Sequence, residues 1–514
     1  MENRESTNRP DLTPFAGAVA LGLVLLQALT AGHYGIFRDE FYYLMCADHL
    51  AWGYVDHPPL SIAVLAGWRA LFGDGAAALR FLPALLNGWA ALGAALLARE
   101  MGGRTLAQTT AALLVGFMPV ALAFGGFFSM NPFDLGFWIL VAWIVCRLLA
   151  GGPRRWWWIL GTVFGLGLLN KYSLLFLGVG LGVGLLLSPL RKQVLSRTGV
   201  YAGLIALGFV LPHLVWQLVH GWPTVEFIRA AQEHKIVDFS PAAFWSEQML
   251  MANPGFVPIA LVGLVGLLFL PRLRTWRPLG IAFVVVALWL TFSKAKPYYL
   301  APAFPLIMAA GAVMLEYWVS RWRLVFVATA AAVPLLLAGI GLAIAPLVIP
   351  LLSVENYLAY EQKLGLRPSD MENNAVGALP QHFADRFGWP ELAAAVVGVF
   401  NSLPAEDQDR CLIVAGNYGE CGAINYFARG FGLPTAVSGH NSCWSWWPEE
   451  GTPEVVLVVG ESRETLELFF EQVESGGRRT FQWAMPFERN LTVWVCRGFK
   501  LDPAELRDRA RFYI

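Results

Sequence analysis

Apolar runs long enough to cross a bilayer recur from Leu12 to about Val348, and this recurrence limits the fold more than any other feature of the chain. They fall near residues 12–32, 81–98, 105–126, 133–149, 156–169, 173–187, 199–219, 255–271, 279–293, 299–319 and 323–348, eleven in all. Only 14% of the residues are charged, against roughly 25% in soluble domains, and the mean hydropathy is +0.52. The chain is therefore expected to be a polytopic α-helical membrane protein. Lys and Arg, 37 together, balance 37 Asp and Glu, which excludes the one-sign basic surface of a nucleic-acid binder. The first apolar run is not followed by a small-residue cleavage site and reads as a retained helix.

Residues 156–187 test this count. One helix there would be about 48 Å long and would carry Lys171 near the bilayer centre, at a cost of at least ~2.5–3.5 kcal/mol. A break at Asn170-Lys171-Tyr172-Ser173 avoids that cost. With the break, Arg4/Arg9, Arg99/Arg104, Arg147/Arg154/Arg155, Arg191/Lys192/Arg197, Arg272/Arg274/Arg277 and Arg321/Arg323 share one face, the cytoplasmic one by the positive-inside rule. The expected organisation is a transmembrane domain over 1–350, with outer loops 33–80 and 220–252, and an extracytoplasmic α/β domain over 351–514. In that second domain, strands are expected at 411–416, 455–460 and 491–496, and helices at 420–429 and 463–474. An oxidising compartment would permit a disulfide, with Cys421–Cys443 the first pairing to consider; Cys411 and Cys496 read as buried small hydrophobes. No phosphate-cradling G-x-x-x-x-G-K-[ST] run is present.

Titratable residues gather in the outer connections. The first loop carries Arg38-Asp39-Glu40, Tyr42 and Asp56-His57-Pro58-Pro59. Asp39-Glu40 is either a general base or metal-holding pair, or the first-turn acids of a helix over 41–49. His57 lies on backbone stiffened by two prolines, as a phosphate-facing cation or as a solvated loop histidine. Lys171 either meets a lipid phosphate or snorkels to the interface. Asn131 and Asp134 open the fourth helix, and Lys294, Lys296, Tyr298 and Tyr299 lie at a similar depth, where aromatic belts also place tyrosines. In the outer domain, Asn417-Tyr418-Gly419-Glu420 and His440-Asn441-Ser442, with Trp444, Trp446 and Trp447, either line an acceptor site or pack the domain.

Together these residues resemble the PMT-type, family 39-like glycosyltransferases of the GT-C fold, which include protein O-mannosyltransferases and lipid A aminoarabinose transferases. Asp39-Glu40 matches the acidic pair of the first outer loop, and His57-Pro58-Pro59-Leu60 its Lys/His-Pro-Pro-Leu motif. Asn170-Lys171 resembles the Thr-Lys-Gly turn, with Tyr172 where Gly is common. Lys296-Pro297-Tyr298-Tyr299-Leu300, with Pro302 and Pro305, resembles the aromatic-Leu-Pro-x-x-Pro motif. Many relatives carry Asp where this chain has Asn131, so whether Asn131 or Asp134 completes the site stays open.

The resemblance implies transfer of a hexosyl or pentosyl group from a polyprenyl-phosphate sugar to a hydroxyl on the outer face, with inversion. Asp39, beside Glu40, is the implied base; His57, Lys171, Lys296 and Arg38 are the implied phosphate cations. Asn131, Asp134, Tyr42, Tyr298, Tyr299, Glu420, His440 and Asn441 are the expected substrate contacts. No organic cofactor is required, and a divalent metal is compatible without being demanded. The expected partners are the lipid-linked sugar, a lipid, glycan or protein acceptor, and the membrane. The alternatives are a transporter or flippase of lipid-linked glycans, or a non-catalytic binder of them.

Overall fold

The computed structural model describes residues 10–234, 240–293, 295–366, 377–448 and 453–514. Arg4, Arg9, Lys294 and residues 235–239 of the expected second loop lie outside that set. By its contacts the chain divides into two units, one of Met1–Ala31, Ala77–Val215 and Asp238–Leu352, the other of Gly32–Ala76, Trp216–Val237 and Ser353–Ile514.

The first unit is helical, and each expected apolar run coincides with a helix. Six of the described helices are long and apolar enough to cross a membrane: Ala76–Glu100, Asn131–Leu149, Arg197–Val219, Pro271–Phe292, Pro297–Val319 and Arg323–Leu347. Two more spans arise if the bent pairs Thr105–Gly116/Pro119–Gly125, at 66°, and Pro241–Ala252/Val257–Phe269, at 106°, each count as one. The remaining expected runs form the shorter helices Pro14–Thr30, Arg155–Leu168 and Leu174–Leu186. The expected break is present, with a turn at 169–173 between the last two of these. Only 11% of the apolar window of Arg323–Leu347 and 17% of that of Arg197–Val219 are buried by protein. Apolar surface on that scale is stable only against lipid. The chain is a multi-pass membrane protein.

Small residues let these helices approach closely, as in membrane bundles generally. Ala90, Ala91, Ala94, Ala95, Ala309, Ala310 and Ala312 are fully buried. A Cβ at Gly263 would collide with the Ile307 carbonyl, and one at Gly311 with the Ile259 carbonyl, so Val257–Phe269 and Phe304–Val319 meet backbone to backbone. Buried polar groups are spent on helix ends. Glu316 accepts from the backbone N–H groups of Arg104, Leu106 and Ala107 at 2.6, 3.0 and 3.4 Å, covering donors that the start of Thr105–Gly116 leaves open. Arg80 donates to the Ala31 carbonyl at 2.8 Å, at the C-terminus of Pro14–Thr30, where a cation complements the helix dipole.

The second unit holds a four-stranded sheet of order β1-β2-β4-β3, with β1 Cys411–Ala415, β2 Val455–Val459, β3 Phe470–Thr480 and β4 Asn490–Phe499. β1 and β2 are parallel, Cys411 opposite Val455; β4 runs antiparallel to both β2 and β3. The all-apolar Val455–Val459 is buried along its whole length, as a central strand requires. The helix expected over 463–474 is corrected: it stops at Leu466, and β3 begins at Phe470. Pairing with β4 from Phe470–Phe499 to Thr480–Asn490 overrides the helical pattern of the polar segment. The six cysteines are free thiols, so the Cys421–Cys443 disulfide is not formed here; Cys421 instead donates to the Ala436 carbonyl at 3.2 Å. The first loop contains two helices, Arg38–Asp48 and the apolar Leu60–Phe72, the second of which was not expected.

Gly263→Ala and Gly311→Ala are each expected to lower stability by about 1–3 kcal/mol through overpacking. Gly203→Ala, which meets open space, is expected to be neutral or stabilising. Thermal unfolding of the detergent-purified variants checks this, and equal melting of Gly263→Ala and Gly203→Ala would refute the close approach.

Candidate functional site

Two clusters contain most of the expected residues, one in each unit. In the second unit, the helix Arg38–Asp48 begins three residues earlier than its sequence suggests. Glu40 is consumed by that start: its carboxylate accepts from the Phe37 N–H at 2.8 Å and is 1% exposed. Asp39, one residue before, instead accepts from the Tyr418 hydroxyl at 2.8 Å. The acidic pair therefore splits into a capping acid and an acid bonded to Tyr418.

Arg38 lies beneath this contact. Its guanidinium stacks 5.0 Å from the Tyr418 ring and 5.5 Å from that of Phe487, and its Nε is 3.5 Å from Glu488 Oε1. Its own N–H donates to the Asp385 carbonyl at 2.9 Å. Asp385, Glu420 and Glu488 are each 2% exposed. Burial pushes the carboxyls of Glu420 and Glu488 up to about 7 against the pull of Arg38, and raises Asp385 well above the carboxylate range. Both oxygens of Glu488 are buried without a hydrogen-bond partner, which fits a group that is only partly ionised. Burial alone would lower the Arg38 pKa, but Tyr418, Glu488, Asp385 and Asp39 outweigh it and raise it. Glu420 also accepts from the Gly416 N–H at 2.9 Å, fixing the loop from β1 into the helix Tyr418–Phe427.

Tyr42 donates to Asp56 Oδ1 at 2.6 Å and lies 2.9 Å from Ser442 Oγ, which also accepts from the Val55 N–H at 3.0 Å. His57 is neither solvated nor on an open face: it is fully buried, with the Tyr42, Tyr43 and Tyr54 rings centred 5.9, 5.4 and 4.8 Å away. Its Nδ1 is 2.9 Å from the Pro58 carbonyl, to which that nitrogen's proton donates, and its Nε2 is 4.0 Å from Asp56. The rigid Pro-Pro backbone thus packs an imidazole inside an aromatic box. His440 and Asn441 are placed on the last residues of the chain, with His440 Nε2 3.0 Å from the Ile514 carbonyl and Asn441 bonded to both the N–H and carbonyl of Ile514.

In the first unit, Lys171 sits in the turn between two short helices, 8% exposed. Its ammonium is 2.7 Å from Asn131 Oδ1, 3.9 Å from Asp134 Oδ2, and 5.0 and 4.9 Å from the ring centres of Tyr298 and Tyr299. Ser173 donates to Asp134 at 2.6 Å and Asn170 to the Met130 carbonyl at 3.0 Å. Five expected residues from three segments meet here, and both Asn131 and Asp134 face Lys171. Lys296 is partly buried just before Tyr298, its carbonyl accepting from the Tyr299 N–H at 3.1 Å.

No group of three or more His, Cys, Asp or Glu among the described residues has metal-holding geometry. Sequence reasoning missed Asp385 and Glu488, which stand in no motif, and named Tyr418 only as one of several loop residues.

Residues 56–216 match the family model described as dolichyl-phosphate-mannose-protein mannosyltransferase. The crystal structure of ArnT from Cupriavidus metallidurans in the apo state superposes with a TM-score of 0.60 at 16% identity, covering 94% of this chain and 97% of that one. The chain has the GT-C fold of ArnT. ArnT bound to undecaprenyl phosphate matches with a TM-score of 0.56 at 16% identity, over 93% of this chain and 97% of that one. The lipid A galacturonosyltransferase RgtD of Rhizobium johnstonii is 32% identical over 196 residues, 37% of this chain and 40% of that protein. The match thus spans well under half of that relative's length.

The raised carboxyls make stability depend on pH. A Glu raised from 4.5 to about 7 keeps its proton in the folded state where the unfolded chain has lost it. Its contribution is complete below about pH 4.5 and lost as pH rises through about 7. Glu488→Gln is therefore expected to gain thermal stability relative to the wild type between pH 5.5 and pH 8, by at least about 2 °C. Parallel melting curves at both pH values would refute the raised Glu488.

Proposed function

We propose that this protein is a glycosyltransferase that moves a sugar from a polyprenyl-phosphate donor to a hydroxyl acceptor, on the extracytoplasmic face of the membrane, with inversion. The observation that carries this reading is the Lys171 cradle. A nearly buried ammonium with three N–H donors makes one short hydrogen bond, to the neutral Asn131, and rests on two phenol faces. A cation so held is suited to an incoming phosphate. ArnT, whose fold this chain shares, binds undecaprenyl phosphate, and RgtD is a lipid A galacturonosyltransferase.

In this reading Asp39 is the general base. It takes the proton from the acceptor hydroxyl as the oxygen attacks the anomeric carbon, and the C–O bond to the lipid phosphate breaks on the opposite side. The phosphate departs as an anion and needs charge stabilisation rather than a proton. Lys171 supplies that charge, with Lys296 at the same segment as Tyr298 and Tyr299. Arg38 places its positive charge beside Asp39. Tyr42 and Glu420 belong to the acceptor side of this reading. His57 shapes that side by anchoring its tyrosines, and His440 and Asn441 by holding the chain's last residues. In this reading the reaction requires no organic cofactor, and a divalent metal is compatible with it without being demanded.

Eleven membrane crossings, a cytoplasmic N-terminus and an extracytoplasmic 351–514 segment complete the proposal. They follow from the basic residues of the short connections and from the absence of a nucleotide-binding motif.

The test uses membranes supplied with undecaprenyl-phosphate galacturonic acid or aminoarabinose and lipid A. Asp39→Asn is expected to lower kcat by about 10²–10⁴-fold while undecaprenyl phosphate still binds. Lys171→Ala is expected to weaken undecaprenyl phosphate binding and to lower kcat by about 10²–10³-fold. Full transfer by Asp39→Asn would remove the base. Undecaprenyl phosphate binding by a wild type that transfers none of a panel of sugars would favour a transporter or binder instead.

A further inference from the structure

Resting on the reading of Asp39 as the base, we infer that Tyr418 is a positioning residue for the Asp39 carboxylate, so that the C-terminal α/β segment supplies part of the working site. The two residues are far apart in sequence yet directly bonded, hydroxyl to Oδ1, at 2.8 Å. Tyr418 is the first residue of its helix, and everything around it fixes the direction of its hydroxyl. Asn417 caps that helix by accepting from the Gly419 and Glu420 N–H groups at 2.8 and 3.1 Å. The Tyr418 ring is held between Tyr42 at 4.9 Å and His440 at 4.5 Å, with the Arg38 guanidinium at 5.0 Å. His440 in turn stacks on Phe512 at 4.5 Å and is tied to Ile514. Two elements of the α/β segment thus brace one phenol.

The bond serves the base in two ways. A carboxylate held by a fixed donor has its orientation set, which shortens the search for a reactive geometry. A donor to the carboxylate also favours its ionised form, the form that can accept a proton. This second effect matters because Asp39 stands among acids. Arg38 and Tyr43 share its helix, Tyr418 and Glu420 come from the helix Tyr418–Phe427, Asp385 from the turn after 381–384, and Glu488 from the turn before β4. Arg38 opposes these carboxylates as a cation, and the phenol adds a neutral donor aimed at one oxygen. Burial and the nearby Asp39 keep the Tyr418 proton on its oxygen at any working pH.

Tyr418→Phe removes the hydroxyl and keeps the ring stack. Measured with undecaprenyl-phosphate galacturonic acid and lipid A, it is expected to lower kcat by about 10- to 100-fold, with KM for the donor unchanged. The acid limb of its kcat–pH profile is expected to move to higher pH. Isotope-edited infrared titration of the carboxylates reads the same movement without turnover, with Asp39→Asn identifying the Asp39 band. Melting of Tyr418→Phe close to the wild type separates positioning from folding. A dead Asp39→Asn beside a Tyr418→Phe with wild-type kcat and an unmoved carboxylate band would overturn the positioning role alone. An active Asp39→Asn would overturn the base, and this inference with it.

Discussion

The second unit is organised around one guanidinium. Arg38 is surrounded by Asp39, Asp385, Glu420 and Glu488, in a region where most of these groups are almost inaccessible to water. Four ionised carboxylates could not share one cation there, because the desolvation penalty of each exceeds what a shared partner returns. The structure resolves the conflict by letting three of them hold protons more tightly than usual. The fourth, Asp39, is given a phenol as well as the cation. Three of the four carboxyls around this cation are thus raised by burial, and the fourth, Asp39, is the one bonded to a phenol. The backbone follows from the same contact. The Arg38 N–H ends on Asp385, and the Glu420 carboxylate closes the loop after β1, so the acids that surround the cation also fix the chain that carries it.

The first unit solves a different problem with the same residue classes. Lys171 lies in a turn between apolar helices, where an uncompensated ammonium would be costly. Two phenol faces, an amide oxygen and a carboxylate nearly 4 Å away stabilise the charge without neutralising it by close pairing. Asp134 is further occupied by Ser173. A tight Lys–Asp pair would satisfy the helix ends equally well but would compete with any incoming anion. The looser arrangement leaves the Lys171 charge without a closely paired carboxylate. Asn131 supplies a neutral oxygen that orients the ammonium and leaves its charge intact.

Much of the fold was legible because its signals are local. The apolar runs have the length that a bilayer demands, and the break at 170–173 follows from the cost of one lysine. The residues around Lys171 were legible for a related reason: each stands at the end of an apolar run, where a polar residue must be accounted for. The helix expected over 463–474 failed because β4 supplies a ladder that no local pattern announces. His57 was legible as a motif but not as a packed side chain, since its aromatic box is assembled from Tyr42, Tyr43 and Tyr54, three to fifteen residues earlier in the loop.

The same limit explains why Asp39 could be found and its neighbours could not. Asp39 follows an apolar run and stands in the first turn of a helix, so its position is unusual in sequence. Asp385 and Glu488 stand in ordinary polar stretches, and only the fold buries them. Tyr418 occupies the start of a helix after a buried strand, a place where loops often carry function, yet nothing local says which carboxylate it meets. Its partner is set by how the helix Tyr418–Phe427 packs on Arg38–Asp48, and Phe41 supplies part of that packing by lying against the Tyr426 and Phe427 rings at 5.8 Å each. The environment of Asp39 is therefore a tertiary property carried by apolar residues, although Asp39 itself stands out within a dozen residues of sequence.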